Sequence, residues 1–245
     1  GFHQVDMTTR LTYLYEDERE DFVYANGTQF KVRNVPTLNA IDPSLFRDSS
    51  ALYKTRSLQY LINQGVNYND RYLAQFTYVR DGSSLFGSQA RWTNFYQVSG
   101  AWRVTQDFHI PGFEEVKLRA AHGTAGLRPG FQYQYETYSV ANGQYGKNTI
   151  GNADLQPAIQ HETEYGADLS FLKRFDLNIV NSERKTDNAF LPVPLSVARA
   201  GGFSYQWQNA ATISAKTLEV ALTTRVIEKP EFSYDFTFTG ARTRQ

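Results

Sequence analysis

Hydrophobic and polar residues alternate with a period of two along most of this chain, the spacing that places every second side chain on one face of a β-strand. In residues 72–80, Tyr72, Ala74, Phe76 and Tyr78 share one parity and Gln75 and Thr77 the other. The device recurs in residues 4–15, 57–68, 92–105, 116–125, 162–171, 175–184, 218–226 and 232–239. It is sharpest in the last segment, where Phe232, Tyr234, Phe236 and Phe238 alternate with Ser233, Asp235, Thr237 and Thr239. The pattern predicts nine strands.

The connections between these segments are ordered by length. Minimal turns stand at Asn69-Asp70-Arg71, Lys173-Arg174 and Glu228-Lys229-Pro230, and a medium connection spans residues 106–115. Residues 16–55, 81–91, 126–160 and 185–213 form long polar connections, the first with a helical turn expected after Asp42-Pro43. In a meander every second connection lies at the same end, so the short turns collect at one rim and the long loops at the other. That asymmetry is the mark of a membrane barrel. The fold class expected is all-β: an antiparallel up-and-down meander forming part of a transmembrane β-barrel, with residues 1–245 as one partial barrel domain.

Composition supports a wall between lipid and water. Aromatic residues make up 15% of the chain, with 17 Phe and 16 Tyr, yet mean hydropathy is −0.51. Rings are therefore interleaved with polar residues rather than pooled in a core. The 25 basic and 25 acidic residues cancel, which removes the electrostatic footprint of a nucleic-acid binder. Cysteine is absent, which excludes disulfides, zinc-thiolate sites and thiol catalysis. No apolar run approaches the roughly 18 residues of a membrane helix, and residues 1–245 contain no basic-then-apolar stretch of the signal-peptide kind.

The candidate chemistry is sparse. His3, His109, His122 and His161 lack the spacing of a metal or triad motif. Glu162, Glu164 and Asp168 share a strand face; on a barrel wall they line a wet interior or pair with basic neighbours rather than act as acid and base. The acidic cluster of residues 16–21 lacks the ligand spacing of a calcium loop and reads as a solvated loop tip. Gly123, Gly126 and Gly130 do not make a phosphate-cradling motif, and Asn26-Gly27-Thr28 is a chance sequon. No catalytic residue, metal or cofactor is expected. The binding candidates are loop aromatics, Tyr133, Tyr135, Tyr138, Tyr205 and Trp207, whose flat faces suit sugars or peptides.

Several motifs resemble a known family. Asp70-Arg71-Tyr72-Leu73, Arg80-Asp81-Gly82-Ser83-Ser84-Leu85-Phe86-Gly87, Arg91-Trp92, Ser99-Gly100-Ala101-Trp102-Arg103 and Lys117-Leu118-Arg119 with Gly123-Thr124-Ala125-Gly126 are similar to the barrel of SusC/RagA-type TonB-linked outer-membrane proteins, the TonB-dependent receptors. Asn152-Ala153-Asp154-Leu155-Gln156-Pro157, then residues 162–168 and 209–219, follow in that family's order. The resemblance implies a bacterial outer-membrane transporter with a barrel of about 22 strands. It implies energisation by the TonB complex through an N-terminal plug, a SusD-like surface lipoprotein as lid, a lipid bilayer around the wall, and an oligosaccharide or peptide substrate. Plug and closing strands are expected to be missing from this chain. Two other readings remain open: a soluble β-rich glycan-binding module, and a structural barrel fragment assembled with other polypeptides. Detergent dependence separates the membrane wall from the soluble module.

Overall fold

The computed structural model describes residues 4–87, 90–141 and 144–245; His3 lies outside the described residues. In chain order its strands are β1 (Val5–Gly27), β2 (Phe46–Tyr68), β3 (Tyr72–Ser83), β4 (Trp92–Arg103), β5 (Phe113–Leu127), β6 (Thr137–Ala141), β7 (Gln144–Ile150), β8 (Ala158–Phe171), β9 (Phe175–Pro194), β10 (Tyr205–Lys229) and β11 (Phe232–Arg244). Nine of them form one antiparallel meander in the order β1-β2-β3-β4-β5-β8-β9-β10-β11, the nine-strand wall that the periodicity predicts. The other two, β6 and β7, are a hairpin inside the connection of residues 128–157, and β7 meets β10 in a short parallel pairing.

Residues paired across antiparallel strands share a face, so the register divides the wall into two surfaces. Met7, Val66, Ala74, Gly100 and Ala120 lie on one, with Tyr72, Phe76 and Val98; Thr8, Gly65, Gln75, Ser99 and Ala121 lie on the other, with Asn63 and Thr77. The first is apolar and the second polar. Ion pairs cross the polar face: Lys117 to Asp168 at 3.5 Å, Arg119 to Glu164 and to Asp168, and Arg184 to Glu162 at 3.1 Å. The carboxylates of β8 thus pair with basic residues of β5 and β9, as expected of a wet wall.

The register also sets the tilt. A row of neighbours runs from Tyr68 and Tyr72 through Trp102, Leu118, Ala167, Ile179 and Val220 to Gly240. At β2 and β3 this row is the last rung before the turn. At β8 the strand continues from Ala167 to Phe171 before turning, and at β10 from Val220 to Lys229. The stagger is about one to one and a half residues per strand, which at ~3.3 Å rise and ~4.8 Å spacing is a tilt of roughly 35–45°. Transmembrane barrels have this tilt.

Two aromatic belts bound the apolar face. Along the short-turn rim, Tyr72 stacks at 6.3 Å on both Tyr68 and Trp102, Trp102 meets Phe108 edge-on at 6.2 Å, and Phe171 lies 5.6 Å from Phe113 and 5.2 Å from Phe175. At the other edge Tyr60 contacts Tyr13 at 5.5 Å and Trp92 at 6.2 Å. On β4 the belts stand at Trp102 and Trp92, about 33 Å apart along the strand and about 25 Å in height at that tilt. This matches the apolar band of an outer-membrane barrel.

The short turns need backbone geometry that the sequence only partly signals. Asn69 and Asp70 are both left-handed, at φ 53° and 55°, and Arg71 N–H donates to Tyr68 O at 3.0 Å, a type I′ hairpin suited to the strand twist. The next hairpin centres on Leu172 and Lys173, at φ 53° and 56°, one residue earlier than the Lys173-Arg174 expected. Neither residue favours that region, at roughly 1–2 kcal/mol each. The neighbouring connection and the start of β5 hold them: Leu172 N–H donates to Gly112 O at 2.9 Å and Lys173 N–H to the Glu114 carboxylate at 3.1 Å.

The long connections are shorter than the sequence indicates. Residues 16–27 and 46–55 continue β1 and β2 instead of forming a loop. The acidic cluster sits on strands with water on both sides, where Asp17 pairs with Arg56 at 3.0 Å and Lys54 at 3.8 Å, and Ser57 donates to Glu16 at 2.5 Å. At the tip, Pro43–Leu45 form the expected helical turn, a 3-10 turn whose Ser44 N–H is capped by Asp42 at 2.9 Å. Residues 185–194 and 205–213 likewise belong to β9 and β10. Pro192 and Pro194 are tolerated because β9 has lost β8 as a neighbour beyond Asp187, leaving a free side for residues without an N–H.

Two predictions follow from this wall. In the full-length protein in lipid, Phe236→Arg places a charge near mid-strand on the apolar face and costs about 2–4 kcal/mol, whereas Thr237→Arg points inward and costs far less. Equal losses in urea unfolding would refute the face assignment. At the short-turn rim, Asp107 accepts hydrogen bonds from Trp102 Nε1 at 2.8 Å, Tyr72 OH at 2.8 Å and Arg71 at 2.7 Å. The Trp102 and Tyr72 donors, with Arg71, hold its carboxyl below its ordinary value of 3.8. A depressed folded value means that the stability Asp107 contributes is complete above that ordinary value and fades as pH falls below it. The stability gap between wild type and Asp107→Asn should accordingly narrow in acid; a gap constant down to pH ~2 would contradict the assignment.

Candidate functional site at the long-loop rim

Three connections fold together at the rim opposite the short turns: residues 84–91, 128–157 and 195–204 with the adjoining strand ends. Gly87 makes the first junction, its N–H donating to Leu155 O at 3.0 Å. A Cβ there would overlap the carbonyl oxygens of Ala153 and Leu155, so the close approach requires glycine. Phe86 and Leu155 are fully buried at this junction. Gln134 Nε2 donates to Ser84 O at 3.1 Å, joining the second connection to the first.

Asparagine and glutamine amides make the second junction. Asn209 reads both sides of Gln156, its Nδ2 donating to Gln156 O at 2.9 Å and its Oδ1 accepting from Gln156 N–H at 3.0 Å; the same Nδ2 donates to Asn188 O at 2.8 Å. Asn152 Nδ2 donates to Trp207 O at 2.8 Å, and Gln206 Nε2 to Gly151 O at 3.0 Å. Lower on the inner side, Arg128 reaches the buried Asp81 at 3.0 Å and Glu16 at 3.8 Å. The motifs that carry the family resemblance in the loops, Ser83 to Gly87, Asn152 to Pro157 and Asn209, are therefore a clamp. They fix loop shape rather than present a binding surface.

On this clamp the five aromatic candidates divide. Tyr133 and Trp207 stack on each other, centroids 3.8 Å apart and planes at 8°, and Phe190 closes on Tyr133 edge-on at 6.0 Å. Tyr205 is half-buried in β10, paired with Pro194 and Thr149. Tyr135 packs against Phe131 at 5.5 Å and stays half-exposed. Tyr138 on β6 meets Phe203 edge-on at 5.9 Å, donates its hydroxyl to Glu136 at 2.7 Å and is exposed. The structure adds Tyr145 on β7, 83% exposed, which the sequence reading passed over. Residues 144–150 show no apolar parity that would have marked them as a strand.

Nearer the short-turn rim, the polar face holds a shallow hollow of about 560 Å³ whose lining includes Thr8, Gly65, Ser99, Ala101 and Ala121 with the charged Arg119 and Glu164. The ion pairs of β5, β8 and β9 neutralise the carboxylates that could have acted as acid or base. Among the described residues no group of three His, Asp or Glu side chains is placed to hold a metal.

A family model described as TonB dependent receptor-like, beta-barrel, matches residues 3–244. TonB-dependent receptor P39 of Formosa agariphila is 26% identical over 94% of this chain and 22% of its own length. TonB-dependent receptor SusC of Bacteroides thetaiotaomicron is 25% identical over 76% of this chain and 20% of its own length. The chain thus spans at most about a quarter of these curated relatives. Among solved structures, the RagAB peptide importer in its closed-closed state superposes with a TM-score of 0.80 at 19% identity, covering 98% of this chain and 28% of that one.

The clamp predicts a separation of loop order from wall assembly. Leu155→Ala in the full-length protein removes a fully buried side chain and costs the loop junction about 2–5 kcal/mol. The barrel should still migrate as a folded species on unheated gels, while proteolysis within residues 128–157 accelerates. Loss of the folded band would show that the junction supports the wall itself.

Proposed function

Because the chain belongs to the TonB-dependent receptor β-barrel family, we propose that it is a wall segment of an outer-membrane transporter that takes up nutrient oligomers, peptides or glycans. Its long-loop rim receives the substrate beneath a SusD-like lipoprotein, and the TonB complex drives uptake through a plug that lies in another part of the protein. The observation that carries this reading is the clamped rim: a rigid knot that holds Tyr135, Tyr138 and Tyr145 outward above a polar, charge-paired wall. Rings on a fixed support lose little entropy on binding and offer apolar faces to sugar rings or peptide side chains alike. Tyr133 and Trp207 act in this scheme by fixing the loop on which Tyr135 stands, and Tyr205 by anchoring β10 to β7.

The wall continues on both sides. β1 and β11 each pair with one neighbour among the described residues, and an unpaired strand edge in lipid leaves backbone groups without partners at several kcal/mol each. Residues 1–245 are in this reading one part of a larger closed barrel, with the remaining strands supplied by the rest of the protein.

The test is uptake by cells carrying the full-length receptor, measured with labelled oligopeptides and oligosaccharides. Tyr135→Ala combined with Tyr138→Ala should raise the half-saturating concentration for one of these classes roughly tenfold, with the folded barrel present at normal level. Unchanged uptake of both classes, or uptake that persists without TonB, would overturn the proposal.

A further inference from the structure

The apolar face carries one cavity that transport does not use. At the edge bordering the long-loop rim, Tyr15, Leu58, Gly82 and Trp92 form a single row of hydrogen-bonded neighbours on β1 to β4. Gly82 leaves a gap in that row, and the Trp92 ring lies across it: a Cβ on Gly82 would come within 2.8 Å of the indole. The result is a notch of about 310 Å³ whose lining includes Tyr15, Leu58, Gly82 and Trp92 with the two cations Arg56 and Arg91. Arg80 stands beside it, its guanidinium 5.2 Å from the Trp92 ring.

The charge around this notch is one-sided. Asp17 is the carboxylate on the same face, and it is engaged by Arg56 at 3.0 Å and Lys54 at 3.8 Å. Asp81 and Glu16 turn to the opposite face, toward Arg128. Among the described residues, the guanidinium groups of Arg80 and Arg91 make no ion pair. Two unpaired arginines thus flank an indole at the level where the apolar band meets water, while Tyr60, Ile62, Tyr96 and Val98 continue as an apolar strip below. An anion that presents pairs of oxygens, such as a phosphate, suits the guanidinium forks, the Trp and Tyr rings suit a headgroup level, and the strip suits acyl chains.

We propose that the notch binds the phosphate of a phosphorylated lipid of the outer leaflet, with Arg91 and Arg80 as the phosphate ligands and the acyl chains lying along the strip beneath Trp92. The site is distinct from the substrate rim, which opens on the other side of the wall. It rests on the membrane placement and not on the transport reading.

The test uses the full-length receptor in nanodiscs of phosphatidylcholine doped with diphosphorylated lipid A or with its dephosphorylated form, and counts retained lipid by native mass spectrometry. Wild type should retain the phosphorylated form selectively. Arg91→Gln and Arg80→Gln should each lower retention by roughly fivefold, the effect of about one interfacial cation. Arg91 precedes β4 on an exposed connection and its side chain makes no ion pair among the described residues, so its variant should give the folded barrel at normal level. Arg242→Gln, on β11 and also on the apolar face, should retain lipid as wild type does. Equal loss with Arg242→Gln would reduce the effect to general surface charge. Equal retention of the dephosphorylated lipid, or displacement by inorganic phosphate in the millimolar range, would overturn the lipid site.

Discussion

A strand in hydrocarbon has no water to satisfy its N–H and C=O groups, so each must find its partner on a neighbouring strand. Every other feature of this chain follows from that requirement. It dictates a continuous ladder from β1 to β11, fixes which residues share a face, and leaves side-chain chemistry to decide only what each face meets. Apart from its aromatic belts the apolar face has little packing within the chain: many of its Leu, Phe and Tyr side chains remain exposed, while fully buried side chains, Phe86 and Leu155, lie at the loop junction. The wall is held by its backbone, and the loops are held by a small core of their own.

This division explains what the sequence made legible. Alternation revealed nine wall strands because in such a sheet polarity is set by the medium on each side, and the medium is the same along a strand. The signal failed where the medium changed. Beyond the lipid edge both faces of β1 and β2 meet water, alternation of polarity loses its meaning, and Glu16 to Asp21 read as loop although they pair with Leu52 to Ser57 of β2. Pro192 and Pro194 misled in the same way, since a strand with one neighbour has a free side for them. The hairpin centred on Leu172 and Lys173 could not be placed from propensity, because its geometry is imposed by Gly112 in another connection and Glu114 at the start of β5.

The candidate site shows the converse limit. Aromatic loop residues were a sound compositional guess, but sequence could not tell a ring that offers its face from one already covered. Tyr133 and Trp207 cover each other, whereas Tyr138 and Tyr145 remain exposed. The loop motifs that marked the family act largely through amides and a glycine that hold one connection's backbone to another's. A loop of variable outer residues on such a support can change what it recognises without changing how it is held.

The stagger of the strands has a consequence for how one part of the wall senses another. Because each strand is displaced against the last, a row of adjacent side chains followed sideways does not encircle the barrel; it climbs. The row that begins at the turn beside Tyr68 has risen well into the bilayer by Gly240. Sideways neighbours therefore trace a screw thread, and a disturbance passed along it at one rim emerges at a different depth farther around the circumference.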